Sequence, residues 1–386
     1  MKSGWERKQL GTLCEVIAGQ SPEGKFYNSE AKGMPFYQGK KDFGEKFIGL
    51  PTTWTTQITK VAREGDILMS VRAPVGPVNF APSEVCIGRG LAAIRCGAAL
   101  DRDFLYYQLL YLQPEIAGRE GAVFPSINKS EIEVLPLTFA TLTEQERIVG
   151  VLDEAFEGIA VAKANAEKNL QNSYYAFKAA LQSFFVRKND EISLSNLATD
   201  ITDGDHTPPP KAADGIPFIT ISNIIKRTRE IDFRNTFKVP LSYFNALKHN
   251  KKPRAGDVLY TVTGATLGIP VHVKEARDFC FQRHIGLIRP KPNVDSSWLT
   301  YALLAPQSYS QASRGSTGAA QKTVSLAVLR ALKVPHLGHS EQKSVAVQLR
   351  TIDDEVQRLE SIYQQKLAAL DELKSSLLHQ AFTGEL

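Results

Sequence analysis

Hydrophobic positions along the chain fall into two alternating rhythms. Short apolar runs bounded by Gly and Pro, such as Asp66-Ile67-Leu68-Met69-Ser70-Val71 and Asp257-Val258-Leu259-Tyr260-Thr261-Val262, predict buried strands. Each β-rich region leads into a helical pattern, Phe104–Tyr111 and Trp298–Leu304, and then through a turn at Pro136 or Pro335 into a long stretch with apolar residues three and four apart. In the second long stretch this seam is Ile352, Val356, Leu359, Tyr363, Leu370, Leu373 and Leu377, with Lys366 as its polar member. In the first it is Ile148, Leu152, Ala155, Ile159, Ala162 and Ala166, continued after a one-residue shift by Leu170, Tyr174, Phe177, Leu181 and Phe184. A narrow seam of this kind predicts a coiled coil, and Thr143 and Ser340 read as the N-caps of its helices.

The two rhythms occur twice because the chain is duplicated. Gly33-Met34-Pro35-Phe36 returns as Gly215-Ile216-Pro217-Phe218, and Gly65-Asp66-Ile67-Leu68 as Gly256-Asp257-Val258-Leu259. Cys86, Arg89 and Ile94-Arg95 are matched by Cys280, Arg283 and Ile288-Arg289. Glu144-Gln145 returns as Glu341-Gln342. Chance does not produce so many pairs in one order.

A long amphipathic helix alone in water is marginal, so each needs a partner, and the other copy supplies one. If the duplication reflects a two-fold arrangement, the helices run antiparallel and the two globular domains lie at opposite ends of a rod. The alternative is two separate helical bundles. The expected fold is therefore α+β: two α/β domains alternating with two long helices that pair as an antiparallel coiled coil, a pseudo-two-fold tandem repeat. The expected boundaries are 1–142 and 189–339 for the globular domains, and 143–188 and 340–386 for the spacer helices.

Charge adds a direction to this picture. The net charge of +5 permits nucleic-acid binding without requiring it, but the distribution is uneven. Thr207–Pro290 holds fourteen Lys/Arg against six Asp/Glu, and Ser21–Cys96 ten against seven, whereas Thr141–Asp190 and Glu341–Leu386 are slightly acidic. Four cysteines with no C-x-x-C pair predict reduced thiols. The N-terminus, Met1-Lys2-Ser3-Gly4-Trp5-Glu6-Arg7, lacks the apolar core of a signal peptide and no apolar run is long enough to span a bilayer, so a cytoplasmic protein with no membrane partner is expected.

Catalytic constellations are not found. Gly19-x-x-x-x-Gly24-Lys25 matches most of a phosphate-binding loop, but Phe26 stands where a Ser or Thr would hold magnesium. No G-x-S-x-G, G-x-G-x-x-G or H-E-x-x-H occurs, nor an Asn-Pro-Pro-aromatic tetrapeptide. His336 and His339 have no Cys or His partner nearby, and Asp203-Gly204-Asp205-His206 opens a Pro-rich turn, so neither reads as a metal or catalytic site.

The order of these parts resembles the specificity (S, HsdS) subunits of type I restriction-modification systems. The resemblance rests on Gly4-Trp5 with Leu10-Gly11, on Pro35-Phe36-Tyr37-Gln38-Gly39-Lys40, and on Pro217-Phe218-Ile219 with Ser222-Asn223-Ile224. Leu135-Pro136-Leu137 with Glu144-Gln145-Glu146-Arg147-Ile148-Val149 and the final Gln380-Ala381-Phe382-Thr383-Gly384-Glu385-Leu386 extend it over the whole chain. One departure is that the first helix ends on Gln182-Ser183-Phe184-Phe185 instead. The resemblance implies a non-catalytic subunit with two target-recognition domains, each reading one half of a bipartite, asymmetric double-stranded DNA site. It also implies helices that dock two methyltransferase (M) subunits, with restriction (R) subunits outside, and AdoMet, ATP and Mg on those partners with no cofactor or metal in this chain. A specificity chain of a methylation-only system, a scaffold that never touches DNA, and a fused enzyme are the rival readings.

Candidate DNA contacts are basic and polar residues beside Gly or Pro. In the first half these are Gln38, Lys40 and Lys41, then Arg72, Arg89 and Lys129 beside Asn128; in the second they are Thr220, Asn223, Thr263, Thr266, Arg283 and Lys322. Because Arg89 and Arg283 recur in both copies, framework ion pairs are the alternative role for them.

Overall fold

The computed structural model describes residues 4–117, 126–185, 190–206, 208–318 and 322–386. Met1–Ser3, Thr207 and the expected boundary at 188/189 lie outside them. The chain forms two compact units, Met1–Asn165 with Lys366–Leu386, and Ala166–Gln365. Each contains one globular domain and a part of both long helices, Leu142–Phe185 and His339–Thr383.

The first unit is built on a four-stranded antiparallel sheet in the order Cys14–Ala18, Leu91–Cys96, Ile67–Ser70, Val78–Phe80. Its strands are apolar nearly throughout because both faces are covered. Ile67, Met69, Ala92 and Ile94 face a core completed by helix Arg102–Ala117 and the long helices, through Phe104, Leu105, Leu109, Leu152 and Phe382. Leu68, Leu91 and Ala93 face a second core with Tyr37, Val85 and Ile87. That core carries a five-stranded sheet in the order Tyr27–Asn28, Trp54–Thr55, Met34–Tyr37, Val85–Ile87, Val61–Ala62.

The second unit repeats the plan. Its sheet runs Ala198–Asp203, Ile285–Pro290, Val258–Thr261, Pro270–His272. Val258, Tyr260 and Ile288 face the core containing helix Ser296–Leu304, while Leu259, Ile285 and Leu287 face the other side.

Both units share two polar fixtures. Arg95 grips Asp66 through Nε to Oδ1 at 3.0 Å and Nη2 to Oδ2 at 2.8 Å, and Arg289 grips Asp257 with the same two distances. The carboxylates also accept the main-chain N–H of Arg63 and Arg254, closing the turn before each central strand. The second fixture is a buried glutamine at the start of each long helix. Gln145 accepts the N–H of Asp101 and donates to Ala99 and Ala140 carbonyls; Gln342 accepts the N–H of Asp295 and donates to Leu337.

Within the first unit the start of helix Leu142–Phe185 lies against the end of helix His339–Thr383. Arg147 donates to the Leu386 carbonyl at 2.9 Å, Lys163 pairs with Asp371, and the Lys374 ammonium sits 4.9 Å over the Phe156 ring. Rising numbers on one helix meet falling numbers on the other, so the pairing is antiparallel, as expected. In the second unit Phe177, Leu181 and Phe185 are buried in one core with Val345, Leu349 and Val356.

Three local expectations are corrected. Tyr174 and Leu373 are 56% and 46% exposed, while Ser173, beside Tyr174, and Leu378, beside the expected Leu377, are buried. The 3-4 phase drifts by one residue there, and Ser173 tolerates burial because its hydroxyl donates to the Asn169 carbonyl. Pro136 and Pro335 lie in short strands, Pro136–Phe139 and Lys333–Pro335, which pair with Glu6–Gln9 and Glu191–Ser193. These are two-stranded ribbons, where a residue without an N–H is tolerated. The long helices begin at Leu142 and His339, which places Thr143 and Ser340 inside the first turn, not at its cap.

Candidate nucleic-acid interface

In the first unit four loops are laced edge to edge by main-chain hydrogen bonds. Gly88 donates to the Tyr37 carbonyl at 2.8 Å, which sets the Gly88-Arg89-Gly90 turn beside Gln38. Glycine is required at Gly90 and gives the closest fit at Gly88. A Cβ on Gly90 would lie 2.2 Å from the Gln38 carbonyl oxygen, and one on Gly88 would press on Phe36, Ser21 and Gln38. Val71 donates to the Gly90 carbonyl at 3.0 Å, bringing Arg72 alongside, and Ile127 donates to the Val71 carbonyl at 3.1 Å. Arg72 bridges Ser126, two residues before Asn128. A shallow cleft runs between Arg72, Arg89 and Lys129, floored by Gly19 and Ile132.

The structure therefore brings Gln38, Arg72, Arg89 and Lys129 together, all exposed, with Lys40 and Lys41 exposed on the adjoining single turn Lys40–Asp42. Lys129 has Glu133 at 3.5 Å. Asn128 is occupied: it caps helix Lys129–Glu133 reciprocally with Glu131.

The second unit laces the same four loops at matching positions. Gln282 donates to Ile219, Val262 to His284, and Val324 to Val262, while Thr263 bridges Thr323. Thr220 thus stands where Gln38 does, Arg283 where Arg89 does, and Thr263 where Arg72 does. Lys322 adjoins Thr323; its ammonium donates to Ser313 at 3.1 Å, and its carbonyl accepts from Gly264. Thr266 is half-buried and its hydroxyl donates to the Thr263 carbonyl at 3.4 Å.

Two candidates are corrected by this placement. Asn223 is 5% exposed, and every valence of its amide is used: Oδ1 accepts from Thr220 N and Oγ1, and Nδ2 donates to the Asp232 and Asn235 carbonyls. It holds the loop that displays Thr220 and presents nothing to a ligand. Thr263 is 3% exposed, so its side chain lies beneath the surface that Arg72 reaches in the other unit. Arg89 and Arg283 are exposed, and among the described residues neither appears in an ion pair. The framework pairs belong to Arg95 and Arg289, which recur in the same repeats.

Sequence reasoning assigned His206 to a Pro-rich turn and passed over His284. His206 follows the strand Ala198–Asp203, holds Asp203 through Nε2 at 2.8 Å and is 64% exposed at the side chain. His284 sits next to Arg283; burial pushes its imidazole down, and Arg283 and then His206 push it further. Asp205 is tied down by Tyr243 at 2.6 Å and Lys251 at 3.5 Å. The signal was there in the duplication, since Gly204 matches Gly19 in packing against the neighbouring turn. The Gly19–Lys25 string is no phosphate cradle: Gly24–Phe26 is a single 3-10 turn and Lys25 pairs with Glu23. Among the described residues no group of three or more His, Cys, Asp or Glu could hold a metal, and no helix is long and apolar enough to cross a membrane.

The chain is a two-domain tandem repeat: two α/β domains, each displaying one set of four laced loops, alternate with long helices that pack antiparallel. A chain from a study of the assembly and conformational transition of the type I R-M system matches it with a TM-score of 0.82 at 19% identity, covering 100% of this chain and 99% of that one. The HsdS subunit from Thermoanaerobacter tengcongensis matches with a TM-score of 0.61 at 19% identity, covering 100% and 98%. Residues 2–172 match the type I restriction modification DNA specificity domain. A Methanocaldococcus jannaschii protein named for the specificity subunit of type I restriction enzyme MjaX is 40% identical over 168 residues, 42% of this chain and 39% of that protein. The MjaVIII specificity subunit of the same organism is 19% identical over 411 residues, covering 99% of this chain and 93% of that protein. The match to the MjaX protein thus spans about two fifths of that relative's length. Residues 2–172 are thus similar to a type I restriction modification DNA specificity domain, and the whole chain shares the fold of the Thermoanaerobacter tengcongensis HsdS subunit.

Proposed function

We propose that this chain is the specificity subunit of a type I restriction-modification system, that it reads a bipartite, asymmetric DNA target, one half-site per globular domain, and that it contributes no catalytic group of its own. The observation that carries this reading is the matched lacing of four loops in both units with different side chains on them. Gln38 corresponds to Thr220, Arg72 to Thr263 and Gly90 to His284 in the repeat, while Arg89 and Arg283 are shared. A common frame with unlike side chains is what two readers of unlike half-sites need.

Arg89, Arg72 and Gln38 in the first domain, and Arg283 and Thr220 in the second, are the base-reading candidates. Lys40, Lys41, Lys129 and Lys322 neutralise phosphate, and Thr266 positions its loop. The paired helices act as the spacer and as the docking surface for two M subunits, with R subunits beyond; AdoMet, ATP and Mg belong to those partners. The domain boundaries 1–142, 143–188, 189–339 and 340–386 describe this division of labour.

Sequencing the methylated DNA of a host that expresses the chain with its M partner tests the reading directly. A two-part motif with unlike halves is expected, and a single continuous motif overturns it. Adding four residues to both long helices between the two units lengthens them by about 6 Å. The methylated motif is then expected to gain one or two base pairs in its gap, with both halves unchanged. The lysines give a different signature. Lys40→Ala and Lys41→Ala are each expected to weaken all DNA sequences alike and to lower the slope of log affinity against log salt by about one, read from titrations of the S–M complex.

A further inference from the structure

We propose that Cys14 and Cys96 form a redox-reversible dithiol that a peroxide closes to a disulfide. The four cysteines are far apart in sequence, but these two are direct cross-strand partners where the strands Cys14–Ala18 and Leu91–Cys96 begin and end. The type of pair follows from the ladder. Gly97 donates to the Leu13 carbonyl and Gly19 to the Leu91 carbonyl, each at 2.9 Å. Hydrogen-bonded and non-hydrogen-bonded pairs alternate in an antiparallel ladder, so Leu13/Gly97 and Gly19/Leu91 place Cys14/Cys96 among the non-hydrogen-bonded pairs. Such pairs bring Cα atoms to about 4.5 Å, at the near end of the range that a disulfide spans. Their Cβ atoms lie about 4.5–5.5 Å apart, slightly beyond that of a disulfide, so closure asks the strand ends to draw together a little.

Each thiol bears on the ionisation of the other. Cys96 holds the Cys14 thiol below the usual value; burial opposes this, and the Gly97 N–H supports it. Cys96 is pushed up in return, first by Cys14 and then by burial. Cys14 is 8% exposed and Cys96 is partly exposed, so a small oxidant reaches the pair more readily than a bulky one.

The duplication shows that the fold does not need these cysteines. At the same register the second unit pairs Ala198 with Pro290. The other two cysteines behave oppositely. Cys86 and Cys280 recur at matched positions and are 0% and 1% exposed; Cys280 packs with Phe218, Val239 and Phe244, and burial pushes its thiol up to about 12.

The reaction balances with one peroxide. The Cys14 thiolate attacks a peroxide oxygen, the O–O bond breaks, and the departing hydroxide takes the thiol proton to leave as water. Cys14 is then a sulfenic acid. The Cys96 sulfur attacks it, the S–O bond breaks, and hydroxide leaves with the Cys96 proton as a second water. The two sulfurs lose two electrons in total and the peroxide gains them. A dithiol reductant reverses the step by thiol–disulfide exchange.

The test treats the full chain with hydrogen peroxide, blocks free thiols with iodoacetamide, and maps peptides without reduction by mass spectrometry. A Cys14–Cys96 cross-linked peptide is expected, two hydrogens lighter than its parts and lost on adding dithiothreitol, while Cys86 and Cys280 alkylate only after denaturation. Cys14→Ala installs the residue of the second copy, should fold, and should leave Cys96 without a cross-link. Alkylation of both Cys14 and Cys96 after peroxide overturns the proposal, as does over-oxidation of either without a cross-link, or a cross-link from Cys96 to Cys86.

Discussion

Replacing Asp66 by Ala is expected to cost about 3–5 kcal/mol of folding stability, and Asp257→Ala at least as much. Each carboxylate is almost fully buried, at 3% and 2% exposure, and accepts both arms of an arginine fork. Removing it leaves a guanidinium with no partner for that fork in a site where water reaches poorly, and also frees the N–H that closes the turn before the central strand. The two sites are not equal. Arg95 is 23% exposed and keeps Glu15 at 2.8 Å, whereas Arg289 is 12% exposed and among the described residues keeps Asp200 at 3.8 Å and the Lys252 carbonyl. The second unit should therefore lose more. Urea unfolding of the full chain measures the total. Hydrogen exchange in Leu91–Cys96 and Ile285–Pro290 assigns the loss to its unit. A change below about 1 kcal/mol in both variants would show that these pairs do not hold the sheets.

The same two pairs show what the sequence made legible. The repeat Gly-Asp and the repeat Ile-Arg were visible as conserved spacing within one chain, because a frame built twice must keep its buried polar groups twice. What they did to each other was not visible, since the residues that meet across strands are 29 and 32 positions apart. Hydrophobic period gave the paired helices and the duplication gave their antiparallel direction, but the period misplaced Tyr174 and Leu373: a seam drifts relative to 3.5 residues per turn, and only the packed partner fixes which neighbour is buried. The candidate interface was read by residue type beside Gly and Pro. That rule finds exposed loops, so Gln38, Arg72, Arg89 and Arg283 came out on the surface. It cannot separate a loop's display residue from the residue that ties the loop down, so Asn223 was included, and it passed over His206, read as part of a Pro-rich turn, and His284, which has no Gly or Pro beside it. In a duplicated reader, difference at a matched position is the informative signal, and sameness marks the frame.

Arg89 and Arg283 break that rule, which makes their variants the sharpest functional experiment. Both recur, yet both are exposed at the turn tip, while the frame already has its own arginines one strand later. A shared arginine on two otherwise different surfaces fits a base that both half-sites have in common. A guanidinium makes two parallel hydrogen bonds to the major-groove edge of guanine, a pattern no other base offers. Arg89→Ala is then expected to relax the target at one position of the first half-site, by about 1–3 kcal/mol, and to leave the second half-site as it was. Arg283→Ala should do the converse. Lysine does not rescue, because an ammonium cannot supply the planar fork. The methylated motif of each variant, sequenced from DNA made with the M partner, reads this out one base at a time. If Arg89→Ala instead weakens every sequence alike and lowers the salt slope by about one, the side chain meets phosphate. The turn then serves to seat the DNA, and discrimination passes to the residues that differ between the copies, Gln38 and Arg72 on one side and Thr220 and His284 on the other.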